Sequence, residues 1–455
     1  METVAAISTP VAAGGISVIR ISGDGAIKTA KKIFSPANKN KDIEKMKGYT
    51  ACYGKVHNGE NELDDGVLLI FRAPHSYTGE DVAEISVHGG IYTSREVLRA
   101  VLENGARPAE AGEFTKRAFL NGKLSLTQAE AVIDIIEANG KQLHRAAISA
   151  RDGELHRKIE DACEKIVSVC ADISAWIDYP EEDLPELKED VLFEKLSEVK
   201  DELNSLVSGY DTGKMLREGI STAIVGKPNA GKSTLMNLLS RANRSIVTDI
   251  AGTTRDIIEE KVRLDEDIIL CLADTAGIRE TSDEIEEMGV ILARKKIKES
   301  DIVLAVFDLS KPLSAEDEEI IASLSDSNTV AVFNKSDEEK ALCEDIIKNK
   351  FSDTVTVSAK NGDGAEELCT AIRRKIKKTG VDLSAPLLVN ERQRTCLIRA
   401  LNGINGAINA LNTGITLDAV GAMLDEAANE LLILSGKKAT DSVVAEVFSR
   451  FCVGK

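Results

Sequence analysis

The stretch STAIVGKPNAGKSTLMNLL, which begins at Ser221, constrains the possible fold more than any other part of the sequence. It opens with a short β-rich apolar run, passes through a glycine-bearing loop and ends in a helical pattern. The loop, Gly226 to Ser233, reads G-x-x-x-x-G-K-S, a spacing that lets successive backbone N–H groups turn inward around phosphate oxygens. The helix that follows adds the partial positive charge of its N-terminus. Such a loop needs a strand before it and a helix after it. The downstream sequence repeats the arrangement: IILCLADT, DIVLAVFD and TVAVFNK are short apolar runs separated by helical stretches. Strands alternating with helices predict a parallel sheet covered by helices.

The flanks carry other patterns. Through residue 120, ISVIRIS, DGVLLIF and VAEISVH read as strands bounded by GG, DDG and HGG, and TSREVLRAVLENGA reads as a helix stopped at Asn104-Gly105. That mixture predicts an α+β domain. Beyond it, Leu155, Ile159, Ala162, Ile166, Val169, Ile173 and Ile177 recur at steps of three and four, an apolar helix stripe that Pro180 stops. FEKLSEVKDELNSLV continues as helix. After KKTGVDLSAP the same stepping returns in Leu417, Val420, Leu424, Ala427, Leu431 and Leu434. The expected fold is therefore multidomain, in agreement with a length of 455 residues. It comprises an α+β N-terminal domain (1–120), a discontinuous α-helical domain (121–215 plus 379–455) and an inserted α/β P-loop domain (216–378).

Composition narrows the class of protein. No apolar run approaches the roughly 20 residues that span a bilayer, and METVAAISTP lacks the basic and apolar regions of a secretory signal. A cytoplasmic protein with no membrane association is expected. The eight cysteines form no C-x-x-C pair and the five histidines no zinc set. Net charge is −18, which argues against RNA binding on charge alone. The charges balance through the first 120 residues. Acidic runs such as YPEEDLPELKED and SAEDEE read as solvated helix faces or loops.

Further motifs extend the nucleotide reading. The loop positions Asn229, Ala230, Gly231, Lys232, Ser233 and Thr234 form the expected cradle, with Lys232 reaching the β- and γ-phosphates and Ser233 holding Mg²⁺. Asp274-Thr275-Ala276-Gly277 follows an apolar strand, which places a carboxylate near the Mg²⁺ and a glycine N–H near the γ-phosphate. Asn334-Lys335-Ser336-Asp337 follows another strand. A carboxylate at Asp337 accepts from guanine N1–H and the 2-amino group, whereas adenine would leave it unpaired. GTP is therefore the expected nucleotide. Ser358-Ala359-Lys360 suits a backbone contact to guanine O6. Ala251-Gly252-Thr253-Thr254-Arg255 lies between, with Thr254 placed to close on Mg²⁺ when the γ-phosphate is present. Catalysis is expected to involve Lys232, Gly252, Thr254 and Asp274. Ile278 occupies the position after DTAG where many GTPases carry a water-orienting Gln. Either hydrolysis is weak or another group positions the water. Arg255 and Arg279 are candidates for charge stabilisation, and Glu284, Glu286 and Glu287 for orienting water.

GxPNxGKS, DIAGTTRD, DTAGIRE and NKxD resemble the translation-factor-related GTPases that include Era and Der. TPVAAGGISVIRISG, SYTGEDVAEISVHGG, RPAEAGEFTKRAFLNGKLSLTQAEAV and FCVGK resemble the MnmE (TrmE) family of tRNA-modification GTPases across essentially the whole chain. The sequence reads PVAAGGIS where that family often has PPGRGGVG, and CVGK for CIGK. The resemblance implies a homodimer whose N-terminal domain binds 5-formyltetrahydrofolate or another tetrahydrofolate derivative. It implies an FAD-dependent partner of the MnmG (GidA) type, and tRNA whose wobble uridine receives an aminomethyl or carboxymethylaminomethyl group at C5. It implies that K⁺-dependent pairing of G domains activates hydrolysis. By the same resemblance, the K⁺-coordinating asparagine falls on Asn229 and the K⁺ loop on Thr248, Ile250 and Thr253. Asp249 belongs to that nucleotide-binding segment, and the water-orienting glutamate falls on Glu286. The folate contacts fall on Arg20, Glu84, Lys123 and Lys455, and Cys452 matches the family's C-terminal cysteine. The competing expectation is an RNA-binding ribosome-assembly switch with no modification activity, although the sequence shows neither a basic GxxG loop nor a second GKS.

Overall fold

A computed structural model describes residues 1–178, 189–242, 259–264, 268–274, 297, 300–378, 388 and 390–455. These divide into two compact units. The first comprises Met1–Ile136, Ile148–Asp201 and Thr395–Lys455, and the second Glu137–Ala147 and Glu202–Arg394.

The first unit opens with a seven-stranded sheet: β1 (Val4–Ile7), β2 (Ile16–Ser22), β3 (Phe34–Pro36), β4 (Thr50–Asn58), β5 (Asn61–Phe71), β6 (Val82–His88) and β7 (Arg107–Pro108). The spatial order is β3-β4-β5-β6-β2-β1-β7. All neighbours are antiparallel except β1 and β7. The expected strands ISVIRIS and VAEISVH are β2 and β6, and DGVLLIF is the later part of a longer β5. Helices α1 (Ala26–Ile33) and α2 (Ile91–Glu103) cover one face. They pack on Ile19, Ile21, Leu68, Ile70, Ile85 and Val87, alternate residues of the central strands. On the opposite face Tyr53, Val67, Ser86 and Val18 are successive cross-strand partners. So are Ala51, Leu69, Glu84 and Arg20. Tyr53 and Val67 remain 58% and 40% exposed, as an antiparallel sheet with one solvated face permits.

Helices follow: α3 (Glu113–Leu120), α4 (Leu126–Glu137), α5 (Lys141–Arg151), α6 (Glu154–Asp178) and α7 (Glu189–Ser208). The second unit, which also takes Glu137–Ala147 and the end of α7 from Glu202, continues with α8 (Tyr210–Glu218). Its sheet is built from β8 (Ile220–Val225), β9 (Glu259–Arg263), β10 (Ile269–Asp274), β11 (Ile302–Asp308), β12 (Thr329–Asn334) and β13 (Thr354–Thr356). The order is β13-β12-β11-β8-β10-β9, parallel throughout except for β9. Helices α9 (Lys232–Ala242) and α12 (Ala365–Lys378) pack on one face through Leu235, Leu239, Leu368 and Ile372. Helices α10 (Ala315–Ser323) and α11 (Asp345–Lys350) pack on the other through Ile321 and Ile347. Burial on both sides explains why β11 and β12 read as unbroken apolar runs rather than alternating ones.

The chain ends in α13 (Glu391–Asn412), α14 (Leu417–Ser435) and α15 (Asp441–Ser449). Within the first unit, α6 lies antiparallel to α14, with Cys163 Sγ on the Ala428 carbonyl and Gly421 beside Ile173. The expected stripe is buried from Ile159 to Ile173, but Ile177 is 36% exposed. Gly421, near the start of α14, already lies against Ile173, so Ile177 lies at the end of the partner helix. Gly403 lets α13 approach α14 closely, since a Cβ there would lie 2.9 Å from the Met423 carbonyl.

Candidate functional site

In the second unit the parallel strands point their C-terminal ends to one side, the side where ligands sit in open α/β sheets. Each expected nucleotide motif follows such an end. Gly226 follows β8, Asp274 closes β10, Asn334 closes β12, and Ser358 lies just beyond β13. β8 lies between β11 and β10, where the strand order reverses.

The loop after β8 is shaped by its backbone. A Cβ on Gly226 would lie 2.4 Å from the Val306 carbonyl, and one on Gly231 would lie 2.2 Å from Asn334 Nδ2. Asn229, an exposed residue, holds the left-handed region at φ 61 and makes no side-chain hydrogen bond to a described residue. Lys232 begins α9, and its buried ammonium donates to the carbonyls of Gly226 (2.9 Å) and Lys227 (3.0 Å). A cation folded over its own loop is positioned to exchange those carbonyls for phosphate oxygens. Ser233 and Thr234 are exposed in the first turn of α9.

Asn334 joins the loop to the last two strands. Its Nδ2 donates to the Ala230 carbonyl at 2.9 Å, and its Oδ1 accepts from Ala359 N–H at 3.0 Å. The Ser358 hydroxyl donates to Asp337 Oδ1 at 2.6 Å. That bond, with the aspartate's own N–H, holds the exposed Asp337 carboxyl below the usual carboxylate range. Lys335, at φ 66, donates to Asp308 Oδ2 at 2.6 Å. Burial pushes the Asp308 carboxyl up, but Lys335 and Ser310 outweigh it and the net direction is down. Lys360 is exposed. The cluster thus offers an anion cradle at one end and a fixed carboxylate at the other, a layout suited to a purine nucleotide triphosphate.

Sequence reasoning missed two supports of this loop. Asp308 ends β11 and anchors Lys335. Lys227, within the loop itself, donates to Asp317 Oδ2 at 2.7 Å, and that buried carboxylate also caps α10 through Ser314. The pair is 90 residues apart, so no local pattern reports it. Thr248, Asp249, Ile250, Ala251, Gly252, Thr253, Thr254, Thr275, Ala276, Gly277 and Glu286 lie outside the described residues, as do Arg255, Ile278, Arg279, Glu284 and Glu287. Asp274 is described as the last residue of β10, in register with Ile224.

The first unit gathers the other predicted residues. Arg20 and Glu84 are cross-strand partners on the sheet's open face, joined Nε to Oε1 at 2.8 Å. The Arg20 guanidinium also lies 5.6 Å from the Tyr77 ring and 5.4 Å from the Phe114 ring. Lys123 Nζ donates to the Pro74 carbonyl in the loop that carries Tyr77. The Lys455 carbonyl accepts from Phe114 N–H at 3.1 Å, and the Cys452 carbonyl from Gly112 N–H. The tail is further pinned by Ser8 Oγ on the Gly454 carbonyl and by a bridge between Ala111 and Val453. Arg20, Glu84 and the Lys455 backbone therefore meet around Phe114, with Lys123 across the 72–81 loop. Beneath them Arg117, 4% exposed, bonds both Glu80 and Glu113, and Glu113 also bonds Arg107. Burial pushes Glu113 up, but Arg107, the Glu110 N–H and Arg117 overcome it and hold the carboxyl at about 2.

Residues 3–123 match the profile described as the GTP-binding protein TrmE N-terminus, and residues 126–452 the one described as the MnmE helical domain. The tRNA modification GTPase MnmE of Acetivibrio thermocellus is 40% identical over 459 aligned residues, spanning 100% of this chain and 99% of its own. That of Carboxydothermus hydrogenoformans is 41% identical over 461, with the same shares. Among solved structures, Aquifex aeolicus Era bound to GDP.AlF4⁻ is 26% identical. It covers 40% of this chain and 66% of its own, at a TM-score of 0.28. No described helix is long and apolar enough to cross a membrane.

Proposed function

The chain belongs to the MnmE family of tRNA modification GTPases, and on that premise we propose that it hydrolyses GTP to drive modification of the wobble uridine of tRNA at C5. The observation that carries this reading is the junction made by Asn334. One side chain ties the Gly226–Ser233 loop to the Ser358–Ala359 turn, and so sets the phosphate cradle and the Asp337 carboxylate at a fixed separation. Asn229, Ala230, Gly231, Lys232, Ser233 and Thr234 hold the phosphates, while Asn334, Lys335, Asp337, Ser358, Ala359 and Lys360 hold guanine. Thr248–Thr254 and Asp274–Gly277 complete the site, with Ser233 and Thr254 on Mg²⁺. Asn229, whose side chain is exposed, takes K⁺ with Thr248, Ile250 and Thr253 when G domains pair, and Glu286 orients the attacking water. Mg²⁺ and K⁺ supply the positive charge that stabilises the transferring phosphate.

The domain division that fits this reading is 1–120, 121–215 with 379–455, and 216–378. A tetrahydrofolate derivative, such as 5-formyltetrahydrofolate, binds at Arg20, Glu84, Lys123 and Lys455. The paired cation and carboxylate on the open sheet face, flanked by the Tyr77 and Phe114 rings, suit a flat heterocycle with donor and acceptor edges. The exposed rank through Tyr53 and Val67 supports a homodimer. An FAD-dependent MnmG-type protein completes the enzyme.

Nucleoside analysis of tRNA tests the reading. Cells lacking the protein should accumulate unmodified wobble uridine and recover with the wild-type gene. Glu286→Ala should bind GTP, fail to hydrolyse it and fail to restore the modification. Full modification by a hydrolysis-dead Glu286→Ala protein would reduce GTP to a structural ligand.

A further inference from the structure

The balanced charge of the N-terminal residues conceals a segregation. Between Ala26 and Tyr49 there are seven lysines and two carboxylates, a net of +5 within a chain of net −18. Lys28, Lys31 and Lys32 stand at i, i+3 and i+4 on α1 and share one exposed face. Lys31 reaches Asp42 at 3.7 Å and Glu44 at 3.4 Å. Those contacts bring the face against the 3-10 turn Ile43–Lys45 and occupy both carboxylates of the segment. Lys32 and Lys41 donate only to backbone carbonyls, of Asn104 and Ala51, which leaves their charge intact. Lys28, Lys39, Lys45 and Lys47 are exposed and pair with no carboxylate among the described residues.

Tyr49 closes the same segment and immediately precedes β4, the strand next to the edge strand β3. It is 68% exposed, yet its backbone sits in the left-handed region at φ 60, which is costly for a bulky residue. Its N–H bond to Ile70 at 2.8 Å and the edge contact of its ring with Phe71 hold it there. Apart from that edge contact the ring is left to solvent, two residues from the exposed Lys47.

We propose that this surface binds RNA, with the lysines on backbone phosphates and the Tyr49 ring stacked on an unpaired base. The proposal rests on the tRNA-modifying reading above and supplies its substrate surface. Lysine is a point charge that suits phosphate rather than base edges, so the surface reads backbone and one stacked base, not sequence. The acidity of the rest of the chain repels a polyanion elsewhere and so directs it to this face.

The test is fluorescence anisotropy of labelled, unfractionated tRNA on the full chain across a salt series. Replacing Lys28, Lys39, Lys45 and Lys47 together with Gln should weaken binding at least roughly tenfold near 0.1 M salt and reduce the slope of log affinity against log salt by about 3. The same four positions as Arg should retain wild-type binding. Tyr49→Asn, which tolerates the left-handed backbone, should weaken binding severalfold with little change in slope. GTP turnover should be unchanged in each variant. Wild-type affinity and slope in the Gln variant would overturn the proposal and leave the modification reading standing, because nucleoside analysis tests that reading separately.

Discussion

The two sheets of this protein build sites in opposite ways. The six-stranded sheet is parallel apart from β9 and buried on both faces, so the chemistry is confined to loops at its strand ends. The seven-stranded sheet carries α1 and α2 on one side, and its candidate residues project from the strands across the other, partly open face. A strand-end site is made of backbone groups from contiguous loops, as in Gly226–Ser233. A face site is made of side chains from distant segments, as in Arg20 and Glu84, 64 residues apart. The first kind fails when the backbone is obstructed, and the second when a charge loses its partner.

The sharpest test of the strand-end design is Asp337→Asn. An amide would meet guanine N1–H with an N–H and suit a carbonyl at C2 instead. Preference should therefore move from GTP to xanthosine triphosphate by roughly 10⁴-fold, as expected where a site built to hydrogen-bond one base edge is offered a mismatched one. Competitive binding with the two nucleotides measures it, and unchanged preference would place the base elsewhere. Gly231→Ala should follow, because its Cβ would lie 2.2 Å from Asn334 Nδ2 at a backbone φ of 94. A loss of about 3 kcal/mol, or more than a hundredfold in GTP affinity, is expected, with folate binding intact. An equal loss of folate binding would break the separation of the two sites.

The face design is tested by acid. Glu113 is held at about 2 against an ordinary 4.5. A lowered carboxylate stabilises the fold above its unfolded value, and that contribution is lost as pH falls from about 4.5 through about 2. It amounts to about 3 kcal/mol. Calorimetric melts of the full chain from neutral pH to about 3 should show an acid-sensitive transition that is blunted in Glu113→Gln. Equal acid sensitivity in both proteins would remove Glu113 as its source. The smallest effect is expected for Ser358→Ala. Losing the bond to Asp337 should lower GTP affinity severalfold, by an amount that grows on acidification as the Asp337 carboxyl rises toward its ordinary range. A pH-independent loss would mean that Ser358 acts on the turn rather than on the carboxylate.

Legibility followed the same division. The parallel sheet and the order of its motifs could be read because each motif is local and follows a short apolar strand. The supports of that site could not: Asp317 reaches Lys227 across 90 residues, and Asp308 ends an apolar run without belonging to any recognised motif. In the N-terminal sheet, strands β2, β5 and β6 showed as short apolar runs bounded by turn signals, but β1, β4, the short edge strands and the tail contact did not. The Arg107–Glu113–Arg117–Glu80 network depends on a three-dimensional meeting of segments that no periodicity encodes. Charge summed over the first 120 residues came to balance and so hid the lysine surface, which is visible only when helix spacing and ion pairing are resolved.

The pinning of Cys452–Lys455 onto Ser8, Ala111 and Phe114 sets an order of assembly during synthesis. The first unit draws on three stretches of chain, the last of them Thr395–Lys455. On the ribosome, the Gly112 and Phe114 N–H groups at the start of α3 therefore wait for their carbonyl partners until residues 452–455 have emerged. Nearly all of the nucleotide unit is translated before that point and can fold in the interval, since domains form as units while the chain lengthens. The unit encoded in the middle is thus completed first, and the one that contains Met1 is closed only when residues 452–455 arrive.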